Sequence, residues 1–90
     1  PMRALKRARK LIESRPEAQA AITLSTLVVA LESEQLFKLS DLYQLGYDDF
    51  GLAMEVMAEW RLDRYYANKA RLLGVSVQAG DLPTRSDKAA

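Results

Sequence analysis

Asp48 and Asp49 are the only adjacent carboxylates in the chain, and so the first place to look for acid-base or cation chemistry. A hard cation needs several more oxygen ligands converging on such a pair. Both residues open a helical pattern, where carboxylates offset the positive end of the helix dipole. Capping accounts for them. Glu32-Ser33-Glu34 reads as the polar end of a helix, and the four glycines are scattered with no Gly-x-Gly and no Gly-Lys-Ser/Thr phosphate loop. The chain has neither cysteine nor histidine. That removes disulfides, thiolate nucleophiles, the usual zinc, copper and haem ligands, and the commonest general base. No cofactor, metal or small-molecule substrate is expected, and the chemistry points away from an enzyme.

What remains is charge and aromatic surface, and its distribution is uneven. Residues 1–15 carry six positive charges and one negative, net +5; residues 16–60 carry eight negative and one positive, net −7; residues 61–90 carry six positive and three negative, net +3. Arg3, Lys6, Arg7 and Lys10 follow i, i+3, i+4, i+7 and form a basic ridge. Arg61, Arg64, Lys69 and Arg71 are a second basic group, with Tyr65 and Tyr66 among them as rings that could stack on bases. Tyr43, Tyr47, Asp48, Asp49, Glu55 and Glu59 form an acidic and aromatic set in the middle of the chain.

The elements that position these groups read as helices. Ninety residues, 49% of them hydrophobic, fit one small domain, which buries only about 60% of its unfolded surface. Residues 1–80 are read as that domain and 81–90 as a disordered tail. In the basic amphipathic helix 1–14, Ala4, Leu5, Ala8, Leu11 and Ile12 fill the side opposite the basic ridge. Ser14 and Glu17 have capping-box spacing around Pro16 and predict the start of a central packing helix, 16–34. Its apolar run from Ala20 to Leu31 is about half the length a bilayer span needs, so no membrane association is expected. A secretory leader is a poor match too, because Glu13, Pro16 and Glu17 separate the basic residues from that run. With no cysteine to form disulfides, the expectation is a cytoplasmic protein.

Phe37 and Leu39 alternate with Lys38 in a connector that tucks both apolar side chains under the core. Residues 40–60 then read as a helix-turn-helix: Ser40 as N-cap, a short helix Asp41 to Leu45, Gly46 in the left-handed conformation, and a longer helix from Asp48 to Trp60. Phe50, Ala53, Met54, Met57 and Trp60 give that helix its apolar stripe, widened by Leu52 and Val56, and Gly51 marks close approach by another helix. Two readings of 62–77 stay open. Either the helix extends to a C-cap at Gly74, or Leu62 to Ala67 and Ala70 to Val77 form a β-hairpin turning at Asn68-Lys69; the hairpin is preferred.

From Ala20 to Val77 this order of elements resembles the winged-helix family of small bacterial regulators. Leu24 to Leu31 matches the first helix, Asp41 to Leu45 the second, Asp48 to Trp60 the recognition helix, and Leu62 to Val77 the wing. The resemblance implies DNA binding with the recognition helix in the major groove. Here that helix carries Asp48, Asp49, Glu55 and Glu59 and no basic residue before Arg61, so a phosphate polyanion repels it.

The sequence therefore predicts a mainly α, helix-turn-helix-like domain with a C-terminal hairpin wing, acting as a non-catalytic protein-interaction or adaptor module. Its interface would be Tyr43, Tyr47, Asp48, Asp49, Glu55 and Glu59, facing a protein partner or a second copy. The alternative is a small nucleic-acid-binding regulator that contacts phosphates through Arg3, Lys6, Arg7, Lys10, Arg61, Arg64, Lys69 and Arg71.

Overall fold

A computed structural model describes residues 3–61 and 66–80. The described chain is mainly helical. It comprises α1 (Arg3–Ser14), α2 (Gln19–Ser33), a 3-10 turn (Leu39–Gln44), α3 (Tyr47–Trp60) and α4 (Tyr66–Gly80). Residues 81–90, read from sequence as a loose tail, lie outside the described residues.

The amphipathic pattern of α1 folds as its spacing predicts. Ala4, Leu5, Ala8 and Ile12 are buried, while Lys6, Arg7 and Lys10 are exposed. Alanine at positions 4 and 8 leaves only a methyl group on the buried face and permits close approach. Accordingly α1 packs on α2, α3 and α4 alike, and so is as central as α2, which also touches all three other helices. One apolar cluster joins them, with Leu5 and Ile12 from α1, Leu24 and Val28 from α2, Leu42 from the 3-10 turn, Leu52, Val56 and Trp60 from α3, and Leu72 from α4. α3 and α4 share little surface with each other.

Several local expectations are corrected. Ser14 does not cap α2: it closes α1, donating from Oγ to the Leu11 carbonyl at 3.3 Å, and α2 starts after Ala18 without a side-chain cap. The left-handed residue is Glu34, at φ 60°, which ends α2 and donates its N–H to the Ala30 carbonyl. Gly46 instead lies in extended backbone at φ −65° and precedes α3. The 3-10 turn begins after Lys38, so Ser40 is inside it and not its cap. Phe37 packs against the core as expected, but Leu39 is largely exposed. On α3 the most buried residues are Leu52, Ala53, Val56 and Trp60, with Phe50, Met54 and Met57 only half-buried at the margin. Among the described residues nothing lies within 4 Å of where a Cβ at Gly51 would stand, so none of the described helices approaches closely there.

The largest correction concerns 62–77. Residues 62–65 lie outside the described residues, but 66–77 belong to α4, and no strand occurs among the described residues. Leu72, Ser76 and Ala79, at i, i+4, i+7, are the buried residues of α4, which packs chiefly on α2 and α1. The Ser76 hydroxyl, and that of Ser25 on α2, are buried with no hydrogen-bond partner among the described residues. An unmet hydroxyl costs about 1–3 kcal/mol, so apolar contacts of the surrounding helices must outweigh it.

Gly74 is thus a mid-helix residue with open space around its Cα, and the helix does not stop there. Gly74→Ala is expected to raise stability by about 1 kcal/mol in urea unfolding, because alanine loses less backbone entropy in a helix. A left-handed cap at Gly74 predicts the opposite sign.

Candidate interaction site

The six acidic and aromatic residues singled out in the sequence divide into two groups. Glu59 and Glu55 are turned to the protein's own structure. Glu59, half-buried on the last turn of α3, accepts hydrogen bonds from the backbone N–H groups of Ala4 and Leu5, one on each carboxylate oxygen, both at 3.1 Å. These amides are among the first-turn donors that α1 cannot satisfy itself. The carboxylate meets them and sits at the positive end of the α1 dipole. One turn earlier, Glu55 accepts a hydrogen bond at 3.1 Å from Arg7 Nη1. Both side chains of that ion pair are more than half exposed, so solvent screens it. Since Ala4 and Leu5 meet residue 59 and Arg7 meets residue 55, α1 and α3 run antiparallel.

The other four residues face outward at the opposite end of α3. Tyr47 is 93% exposed and Tyr43 73% exposed, and Asp48 is exposed beside a half-buried Asp49. Tyr43 is held by a stacked contact with Phe50, ring centroids 5.6 Å apart. The 3-10 turn fixes this arrangement: buried Leu42 anchors it, which puts Tyr43 outside. Leu36, in the connector before it, is fully exposed, and Leu39 is 63% exposed. Sequence reasoning missed these two as surface residues, having placed Leu39 in the core. Between this end and α1 lies an open cleft lined by Arg7, Tyr47, Asp48, Phe50, Met54 and Glu55. The region offers aromatic and aliphatic area next to carboxylates.

Comparison with protein-family models, with curated proteins and with solved structures finds no match to any of them. The residues of the site are therefore the basis for a functional reading.

The basic residues do not form one surface. Lys6 and Lys10 are exposed on α1, but Arg7 is engaged by Glu55. Lys69 is half-buried with its Nζ over the Trp60 ring, 5.6 Å from the centroid, in a cation-π contact that ties the start of α4 to the end of α3. Arg61 is exposed just beyond α3. Arg71 lines a separate groove between α1 and α4 with Arg9 and Glu13, themselves an ion pair at 3.4 Å. The side chains of Arg3 and Arg64 lie outside the described residues. Among the described residues no group of three acidic side chains is placed to hold a metal ion, and no helix is long and apolar enough to cross a membrane.

Glu59→Ala is expected to lower stability by about 2 kcal/mol, since it removes a charged cap from two helix amides, and Glu59→Gln by about half as much. Arg7→Ala should cost no more than about 0.5 kcal/mol, as befits an exposed pair. Urea unfolding of the three variants measures the ranking.

Proposed function

We propose that the chain is a non-catalytic protein-interaction module that binds a cationic, amphipathic segment of a partner through Leu36, Leu39, Tyr43, Tyr47, Asp48 and Asp49. The observation that carries this reading is the run of large apolar side chains left outside the core between residues 36 and 47. Large apolar side chains left exposed close together in the chain and next to carboxylates suit a surface that meets another molecule. The carboxylates define the chemistry of that molecule. Asp48 and Asp49 have no ion-pair partner among the described residues, and tyrosine faces attract cations as carboxylates do. A helix with lysine or arginine along one side and leucine along the other satisfies both demands.

The nucleic-acid reading has less behind it. Phosphate binding needs several converging cations. Arg7 and Lys69 are engaged internally, and Arg71 faces a groove that also contains Glu13. Of the other candidate phosphate contacts, Lys6, Lys10 and Arg61 are exposed with no ion-pair partner among the described residues, beside an α3 whose exposed charge is acidic.

Fluorescence anisotropy with a short labelled Lys/Leu amphipathic helix tests the proposal. Binding at low salt that weakens about tenfold or more in Asp48→Lys/Asp49→Lys, and also in Tyr47→Ser, is the expected result. Equal binding by wild type and both variants, or none at all, contradicts it. A labelled random duplex that binds more tightly than the peptide would favour the phosphate reading.

A further inference from the structure

We infer that two copies of the chain pair through the outward face of α3, antiparallel and about a two-fold axis. At about 100° per residue, Tyr47, Gly51, Met54 and Ala58, spaced i, i+4, i+7, i+11, fall within a sector of roughly 60° on α3. They lie opposite Leu52, Val56 and Trp60, which are buried in the core. Tyr47 and Ala58 are exposed, and Gly51 and Met54 are half-buried. Among the described residues α3 packs chiefly on α1, so this second apolar face is left largely open. Glycine inside a helix costs stability, and no described neighbour comes within 4 Å of where the Gly51 Cβ would stand. The close approach that its missing side chain permits is therefore free for a helix of another molecule.

The order of side-chain sizes selects a second copy as the occupant. Along the face a large residue alternates with a small one: Tyr47, Gly51, Met54, Ala58. Interdigitating surfaces set large against small. Two such faces in parallel register put tyrosine on tyrosine and glycine on glycine. Turned antiparallel, they set Met54 of each chain on Gly51 of the other and, in the same register, Tyr47 on Ala58. A face that fits itself under a two-fold rotation is what an isologous pair requires. The charges obey the same register. Asp48 has no ion-pair partner among the described residues. Arg7 of its own chain lines the same cleft but is bonded to Glu55, about 10 Å further along α3. In the antiparallel pair Asp48 comes alongside Glu55 of the other chain, and so meets the Arg7 bonded there. A guanidinium carries five N–H donors, and the Glu55 contact uses one nitrogen, Nη1, so one Arg7 can hold both carboxylates. The two-fold makes this contact twice. The pairing goes beyond the peptide reading and shares only Tyr47 and Asp48 with it.

Sedimentation velocity and cysteine cross-linking test the pair. With rising concentration the wild-type mass is expected to reach two chains and stop there. Gly51→Arg/Ala58→Arg is expected to stay at one chain with unchanged helical circular dichroism, since both new side chains point away from the core. The chain has no cysteine, so introduced thiols are the only ones present. Under mild oxidation a mixture of Tyr47→Cys and Ala58→Cys chains should yield mixed disulfide dimers, recognised by intact mass. Each variant alone should yield about tenfold less, because like positions lie about 16 Å apart along an antiparallel pair. A wild-type chain that stays monomeric at every concentration overturns the inference. So does a mass that passes two chains, a dimer that the arginine pair leaves intact, or self-cross-linking as strong as that of the mixture. Monomeric wild type that binds the Lys/Leu helix removes the pairing alone, and a dimer that fails to bind it removes the peptide reading alone.

Discussion

The structure depends on a carboxylate that belongs to one helix and serves another. α1 has no acidic residue in its own first turn, so the positive end of its dipole has no local counter-charge. Glu59 reaches it from α3, more than fifty residues away in sequence, and bonds two of its free amides. Together the two bonds are worth about 2 kcal/mol, which is large against the stability of a small domain. The contact also sets the orientation of α3 against α1. Their antiparallel run follows from it, and so does the alignment of Arg7 with Glu55.

That orientation divides the charges of α3 by function. Its rear carboxylates are consumed by α1, while its front carboxylates, Asp48 and Asp49, have no ion-pair partner among the described residues. The same division explains where the exposed apolar groups lie. Leu42 takes the inward position of the 3-10 turn, and the three-residue period of that turn sends Tyr43 outward, while Leu39, one period before Leu42, is exposed at the start of the turn. The start of α3 is thus acidic and aromatic, while the carboxylates of its last two turns are engaged by α1.

Much of this was legible in the sequence wherever the signal is local. The spacing of Ala4, Leu5, Ala8 and Ile12 against Lys6, Arg7 and Lys10 placed α1 and its exposed ridge correctly. Asp48 and Asp49 in the first turn of α3 were read as helix-starting residues, and they are. What failed was anything decided by a distant partner. Nothing in the neighbourhood of Glu59 distinguishes it from Asp48, because its partners are the amides of Ala4 and Leu5. The hairpin expected over 62–77 failed for a related reason. Tyr65, Tyr66, Val75 and Val77 suit strands, but strand preference is strongly context-dependent. The buried face of α4 is Leu72, Ser76 and Ala79, a helical spacing that a serine at its centre conceals as polar. Packing on α2 and α1 settles the matter in favour of helix.

The measurement that tests the central claim most directly is amide hydrogen exchange resolved at Ala4 and Leu5. First-turn amides of a helix ordinarily exchange as freely as those of a loop, because they have no partner. Bonded to Glu59, they should be protected in the wild type to the level of the core of α1, and should exchange at least tenfold faster in Glu59→Ala while Ala8 and Ile12 remain protected. Unprotected Ala4 and Leu5 amides in the folded wild-type chain would contradict the account, because they would leave α1 without its cap and α3 without the contact that orients it.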